Sequence, residues 1–194
     1  MLEEPATRRS DSARHPKDLL QEAFSRHGLG APELTLVSAE EIPEPYHGLL
    51  VHDADMTSTL KRFHGDSLVL KRLHVEERDG GLDREVVLCT ESAGRPVEYG
   101  VIRIMLTSFE AAARESILAG VIPLGQILDD FDVSYVSRPS EYFRILNLPY
   151  LEKELEDPGV SQWYGRINSL TTPTGELLAK VIEILPSSPF DSRS

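Results

Sequence analysis

The hydrophobic residues of this chain recur with helical spacing in some segments and with strand spacing in others. Apolar side chains share one helical face between Pro16 and Gly28, which predicts an amphipathic helix that the glycine ends. A shorter helix is predicted to begin at Met56, with Asp55 as its N-cap and Gly65 at its end. The proline-rich stretch between these helices predicts a short extended segment followed by a turn-rich connection.

Five later segments rich in apolar and β-branched residues are predicted strands: 67–77, 83–91, 97–106, 163–171 and 176–185. In the first of them the alternation shifts near Lys71–Arg72, which predicts a β-bulge. The loops Ser92–Pro96 and Thr171–Gly175 contain glycine and proline, and we therefore predict that each joins two neighbouring strands as a hairpin.

Further helices are predicted between the strands. Thr107 and Glu110 resemble a capping box, which predicts a helix that opens there and that Gly120 ends. Residues 122–131 are predicted to form a loop with a short helix. Because short hairpins pair strands in antiparallel fashion, we assign the chain to the α+β class, with a single antiparallel β-sheet and flanking helices.

The domain organisation follows from length and composition. Residues 1–15 are polar and have little to bury, so we predict a disordered N-terminal arm. Residues 16–188 are predicted to form a single domain, and residues 189–194 a loose C-terminal tail. A chain of 194 residues, of which 40% are hydrophobic, is long enough to build one ordinary core.

Charge and cysteine content narrow the classes of partner. The chain carries 20 basic and 32 acidic residues, a formal net charge of −12, which repels nucleic acids and anionic membrane surfaces. A small anionic molecule remains a candidate partner wherever a local positive charge receives it. The single cysteine excludes an internal disulfide, and the N-terminal residues lack the apolar stretch of a secretion signal, so we expect a cytoplasmic protein. We expect a monomer or a homodimer.

No strong catalytic motif is present in the sequence. The segment His52–Asp55, with His64 and His74, contains residue types that bind metals, but its spacing matches no known metal site. Because Asp55 is also expected to cap a helix, we expect no metal there. Cys89 lies in a predicted strand and is interpreted as a small buried hydrophobic residue.

Two charged residues occupy apolar faces of predicted strands. Counting in steps of two places Arg84 with two apolar residues of its strand and Glu183 with three of its own. If both point inward, the guanidinium needs an anion, and the carboxyl group has a raised pKa that suits a general acid. The alternative interpretation is a salt bridge at the strand ends or side chains that reach solvent.

Four segments, taken in order, resemble landmarks of the chorismate lyase family: LLVHDADMTSTLKRFHG (49–65), DREVVLC with GRPVEYG (83–100), LAGVIPLGQIL (118–128) and WYGRINSLTTPTGELLAKVIEILP (163–186). They resemble, respectively, the family's opening helix after Met-Thr, its Arg-Glu hairpin, its Pro-Leu-Gly loop and its closing hairpin with a glutamate shortly before proline. The landmarks extend from about Leu49 to Pro186.

This resemblance implies a sheet whose helices enclose a buried ligand pocket. It also implies an enzyme that eliminates pyruvate from chorismate and leaves 4-hydroxybenzoate or a related hydroxybenzoate, a reaction that needs no metal and no organic cofactor. Arg84 is implied to bind a carboxylate of the substrate or product. Glu183 is implied to lie at the opposite end, where it protonates the leaving enolpyruvyl group or hydrogen-bonds the product hydroxyl.

The same resemblance assigns the substrate-binding residues. The backbone at Met56 and Thr57 is implied to donate hydrogen bonds to the ring carboxylate, while Leu124 and Gly125 line the pocket.

A second class of function is a non-catalytic protein that binds a small aromatic acid. The chorismate lyase fold resembles the UTRA effector domains of bacterial transcription regulators, which follow a helix-turn-helix domain. About 45 residues precede the first landmark here, with one evident helix, so we expect no DNA-reading domain. The roles of Arg103 and of the long connection Asn147–Ser161, an added helix or a lid, stay open.

Overall fold

The computed structural model describes residues 16–187, so the predictions for residues 1–15 and 189–194 lie outside the described residues. One antiparallel sheet of seven strands, in the order β1-β5-β6-β7-β4-β3-β2, forms the centre of the molecule. The strands are β1 (Leu34–Val37), β2 (Leu68–Arg78), β3 (Gly81–Thr90), β4 (Pro96–Met105), β5 (Val136–Leu146), β6 (Gln162–Thr171) and β7 (Leu177–Leu185). The predicted α+β class and single antiparallel sheet are confirmed.

Six α-helices within residues 16–187 flank the sheet: α1 (Pro16–Arg26), α2 (Tyr46–Leu50), α3 (Met56–His64), α4 (Ala111–Ala119), α5 (Leu124–Asp130) and α6 (Pro149–Glu154). Short 3-10 helices occur at Ala39–Glu41 and Leu106–Ser108. None of the helices in this part of the chain is long and apolar enough to span a lipid bilayer.

The two faces of the sheet carry different layers. Helices α1 and α6 pack on one face, where Phe24, Leu151 and Trp163 join the apolar side chains of the central strands. On the other face there are two apolar clusters, one beneath α4 and α5 and one beneath α2 and α3. Because successive side chains of a strand point to opposite faces, each central strand contributes to both layers.

Most predicted elements are confirmed. Helix α3 begins after the N-cap Asp55, which accepts a hydrogen bond from the Ser58 amide at 2.8 Å, and ends at Gly65 in the left-handed conformation with φ 63°. Both predicted hairpins form, as β3–β4 and β6–β7. The register of β2 shifts between Arg72 and His74, so the bulge lies at the predicted place within about one residue.

One predicted element is wrong in its start, and one strand was missed. The helix predicted to open at Thr107 begins only at Ala111. Thr107 instead lies in a 3-10 turn, and its side chain does not cap α4. Strand β5 was not predicted, because Pro139 interrupts its sequence. In the structure its register shifts at the same place, between Pro139 and Glu141. The pairing of β5 with both β1 and β6 compensates for this weak local signal.

Candidate functional site

A buried cavity lies on the α2–α5 side of the sheet, where the two apolar clusters of that side meet. The empty space in and in front of it, including open solvent at its mouth, is about 580 Å³, of which about 60 Å³ can hold the centre of a water molecule. Three rows of residues across the sheet form its floor: Arg84, Ile102, Val181 and Asn168; then Val86, Gly100 and Glu183; then Leu88 and Glu98.

The roof of the cavity is made by the first turns of α3 and α5. Met56 and Thr57 open α3, and Leu124 and Gly125 open α5, and all four line the cavity. The two turns touch closely, since a Cβ atom at Gly125 would lie 2.5 Å from Asp55 Oδ1 and 2.8 Å from the Thr57 side chain. Only glycine permits this approach.

Arg84 is a cation at one corner of the floor. Its side chain is 1% exposed, and one guanidinium nitrogen donates a hydrogen bond to the carbonyl of Ile117, near the C-terminal end of α4. Its Nε is buried and has no hydrogen-bond partner among residues 16–187, and no carboxylate in that range pairs with it. Burial, with a smaller contribution from Arg72, lowers the pKa of Arg84 to about 10. A buried guanidinium with an unused donor is suited to bind a carboxylate.

Glu183 occupies a diagonally opposite position in the second row. Strand spacing and rise place its Cα roughly 12 Å from that of Arg84. The sequence predicts a carboxyl group in an apolar pocket at Glu183, whereas the structure shows an ion pair with the fully buried Arg166. Arg166 also donates hydrogen bonds to the carbonyls of Leu50, His52 and Ala54, at 3.1, 3.1 and 3.2 Å.

Glu98 has the environment that was expected for Glu183. It is 4% exposed, and its Oε2 is buried without a hydrogen-bond partner in the described part of the chain. Burial, followed by the nearby Glu183, raises the pKa of Glu98 well above its usual value, against the opposing effect of Arg166. Its other oxygen lies 3.2 Å from the place of a Cβ at Gly100, so the glycine makes room for the carboxyl group.

All six residues that the sequence and the resemblance nominated lie around this one cavity: Arg84, Glu183, Met56, Thr57, Leu124 and Gly125. Their inward orientation is therefore observed, while their chemical roles stay predictions. The alternative interpretation of Arg84, a salt bridge at a strand end, does not hold, because no carboxylate among the described residues pairs with it.

Of the other candidates, Asp55 lines the cavity, whereas Cys89 and the three histidines His52, His64 and His74 do not. His52 makes local contacts, to the Leu49 carbonyl at 2.7 Å and from the Ala54 amide at 3.1 Å. Within residues 16–187, no three His, Cys, Asp or Glu side chains are grouped so that they could hold a metal ion. Cys89 is buried in the apolar layer beneath α1, as interpreted, and its burial raises the pKa of the thiol.

Arg103 and the connection Asn147–Ser161 both lie away from the cavity. Arg103 is buried and donates a hydrogen bond to Asp83 at 2.9 Å, so it belongs to neither the surface nor the cavity. The connection Asn147–Ser161 contains α6, whose Leu151 packs into the core on the opposite face of the sheet. The connection therefore forms a helix on that face, and it does not cover the cavity.

Sequence reasoning missed Glu98 and Arg166. The signal was present in the period of two, because Glu98 shares a strand face with Gly100 and Ile102. The hairpin register would have placed that face beside the face of Arg84. Arg166 could be found only by knowing that β6 lies next to β7 in the register that pairs it with Glu183.

Comparisons with known proteins bear on the fold. No protein-family model and no curated protein matches this sequence. The crystal structure of PhnF from Mycobacterium smegmatis is similar, with a TM-score of 0.54 and 10% sequence identity, over 71% of this chain. This chain spans about 65% of the PhnF chain. The likeness supports a UTRA-like fold, and at this identity it concerns the fold alone.

Proposed function

We propose that the cavity is the active site of a chorismate lyase-like enzyme, which eliminates pyruvate from chorismate and leaves 4-hydroxybenzoate or a related hydroxybenzoate. The observation that carries this proposal is Arg84, a buried guanidinium without a carboxylate partner in the described residues, in a cavity that also contains Glu98 and Glu183. A buried cation without an anion is energetically costly, and binding of a small carboxylic acid would supply the missing anion.

Binding would use both charge and shape. The free Nε–H of Arg84 would donate to a carboxylate oxygen, and the low exposure of the site would strengthen that bond. Apolar side chains from floor and roof, including Val86, Ile102 and Leu124, would enclose the ring. The first amides of α3, at Met56 and Thr57, have no acceptor within the helix and supply further donors.

The reaction breaks the C–O bond between the ring and the enolpyruvyl group. The ring loses a hydrogen and becomes aromatic, while the enolpyruvyl fragment gains it and leaves as pyruvate. The atoms balance without a further reactant, and the gain in aromaticity drives the step. The part assigned to the protein is to orient the substrate through Arg84 and to stabilise the leaving oxygen through the carboxyl groups at the other end.

A non-catalytic receptor for an aromatic acid is the second candidate. Two observations favour it. The fold is similar to that of PhnF, and the carboxylate of Glu183, the proposed general acid, is already held in an ion pair with Arg166. In this case the same cavity would bind a hydroxybenzoate without turning over chorismate.

Incubation of the purified protein with chorismate separates the two candidates. Pyruvate release is followed enzymatically, and the aromatic product is identified by chromatography against 3- and 4-hydroxybenzoate standards. Equal amounts of pyruvate and one hydroxybenzoate would establish the lyase. Unchanged chorismate, together with calorimetrically measured binding of a hydroxybenzoate, would establish the receptor.

Two variants test the assigned roles. Arg84→Ala removes the guanidinium that is proposed to bind the substrate carboxylate. We therefore expect weaker substrate binding, seen as a KM raised at least about tenfold. Glu183→Gln keeps the shape but removes the charge, so we expect mainly a lower kcat. Arg114→Ala, on the exposed side of α4, is the matched control and should behave as wild type. Wild-type turnover in both site variants would contradict the assignment.

A further inference from the structure

Three carboxyl groups line the cavity, and two of them have donors. Asp55 accepts hydrogen bonds from the Ser58 amide at 2.8 Å and from the Tyr135 hydroxyl at 2.9 Å. Glu183 accepts from Arg166. Glu98 differs from both, because no residue between 16 and 187 donates to its buried Oε2. An ionised carboxylate without donors is costly in such a place.

The groups that face Glu98 argue for its neutral form. Asp55 from α3 and Glu183 from β7 are acidic, and Arg166 from β6 is already paired with Glu183. Burial and the two acidic neighbours raise the pKa of Glu98, which agrees with its lack of donors. A protonated carboxyl group carries an O–H that needs an acceptor of its own.

We propose that Glu98 is a protonated hydrogen-bond donor that recognises an oxygen on the ligand, at the end of the cavity away from Arg84. The register supports this position, since Glu98 lies in the third row of the floor and Arg84 in the first. Its carboxyl group leans over Gly100, the residue paired with Glu183. The inference rests on the proposed function and adds to it a residue that determines specificity, by recognising the hydroxyl or ether oxygen on the ring of the aromatic acid.

The test compares calorimetric affinities for benzoate and for 3- and 4-hydroxybenzoate. The wild-type protein should prefer one hydroxybenzoate over benzoate by about tenfold, the value of one hydrogen bond. Glu98→Leu should lose this preference, whereas Glu98→Gln should retain most of it because the amide also donates. Glu91→Gln, on the exposed end of the same hairpin, is the control and should match wild type. A preference that persists in Glu98→Leu would overturn the proposal, as would a wild type that binds none of the acids.

Infrared spectra of the wild type and its variants, compared by difference, test the protonation of Glu98 without any ligand. At neutral pH the wild type and Glu91→Gln should show the C=O stretch of a protonated carboxylic acid, and Glu98→Gln should lack it. If the band is missing from the wild type, Glu98 is ionised and the proposal fails. Neither measurement uses chorismate, so a protein that passes both but releases no pyruvate would refute only the lyase reaction.

Discussion

Arg84 is a buried charge that the fold leaves without a carboxylate partner among residues 16–187. Its guanidinium is 1% exposed, and among the described residues its one hydrogen-bond partner is the Ile117 carbonyl. Desolvation lowers the pKa of Arg84 to about 10, which means that the fold disfavours its charged form relative to water. Residues held in such an environment often belong to a functional site.

Replacing Arg84 with methionine should therefore separate stability from binding. Methionine fills a similar space without a charge, so we expect the free energy of unfolding to rise by about 1 kcal/mol. Binding of hydroxybenzoate should be lost in the same variant. Urea denaturation measures the first effect and calorimetry the second. A variant that is clearly less stable than wild type would show that Arg84 has a structural partner after all.

Among the elements, the connection between α2 and α3 depends on a residue distant in sequence. Arg166, on β6, donates to the carbonyls of Leu50, His52 and Ala54 and forms the ion pair with Glu183. These bonds fasten the connection to the sheet directly before the first turn of α3. The position of Met56 and Thr57 over the cavity follows from this attachment.

Arg166→Met should have the opposite effect to Arg84→Met, although both arginines are buried. It leaves Glu183 as an unpaired buried carboxylate and frees three carbonyls, so we expect a loss of about 3 kcal/mol in the free energy of unfolding. Hydrogen exchange should also quicken at residues 51–55. Urea denaturation with exchange mass spectrometry would reveal both changes. Unaltered stability would show that the ion pair contributes nothing to the fold.

The contact between α3 and α5 depends on Gly125. A methyl group there would meet Asp55 and Thr57 at 2.5 and 2.8 Å, so Gly125→Ala should push the first turns of the two helices apart. We expect a loss of about 1–3 kcal/mol in stability and weaker ligand binding.

Gly30→Ala is the matched control for Gly125→Ala, because its Cβ would meet no atom within 4 Å. Thermal denaturation of both variants checks the comparison. Equal midpoints would mean that the roof of the cavity adapts to the extra methyl group without cost.

At the scale of the whole molecule, net charge and local charge oppose each other. The chain carries a formal charge of −12, whereas Arg84, the cation proposed to bind the ligand, is buried. Salt screens the long-range repulsion of an anionic ligand more than it screens the short contact inside the cavity.

The association rate of a hydroxybenzoate anion should therefore rise with ionic strength, by less than about tenfold. Stopped-flow fluorescence at several salt concentrations, with neutral benzamide as the control ligand, measures this dependence. A rate that falls steeply with salt would indicate an attractive field at the entrance, which the net charge does not predict.

The amino-acid sequence by itself determined most of the helices and strands and the inward orientation of two functional candidates. The period of two in β3 and β7 was sufficient to place Arg84 and Glu183 on the covered face, and hairpin turns identified antiparallel pairing. Asp55 and Gly65 likewise defined α3, because capping depends only on neighbouring residues.

Only the tertiary structure decided which charges meet. Periodicity specifies the face of a strand, but the neighbours of that strand depend on burial across the whole sheet. The position of β7 between β4 and β6 brings Glu183 beside Arg166 and close to Glu98. The ion pair at Glu183 and the raised pKa at Glu98 are consequences of that strand order, for which the separate segments carry no signal.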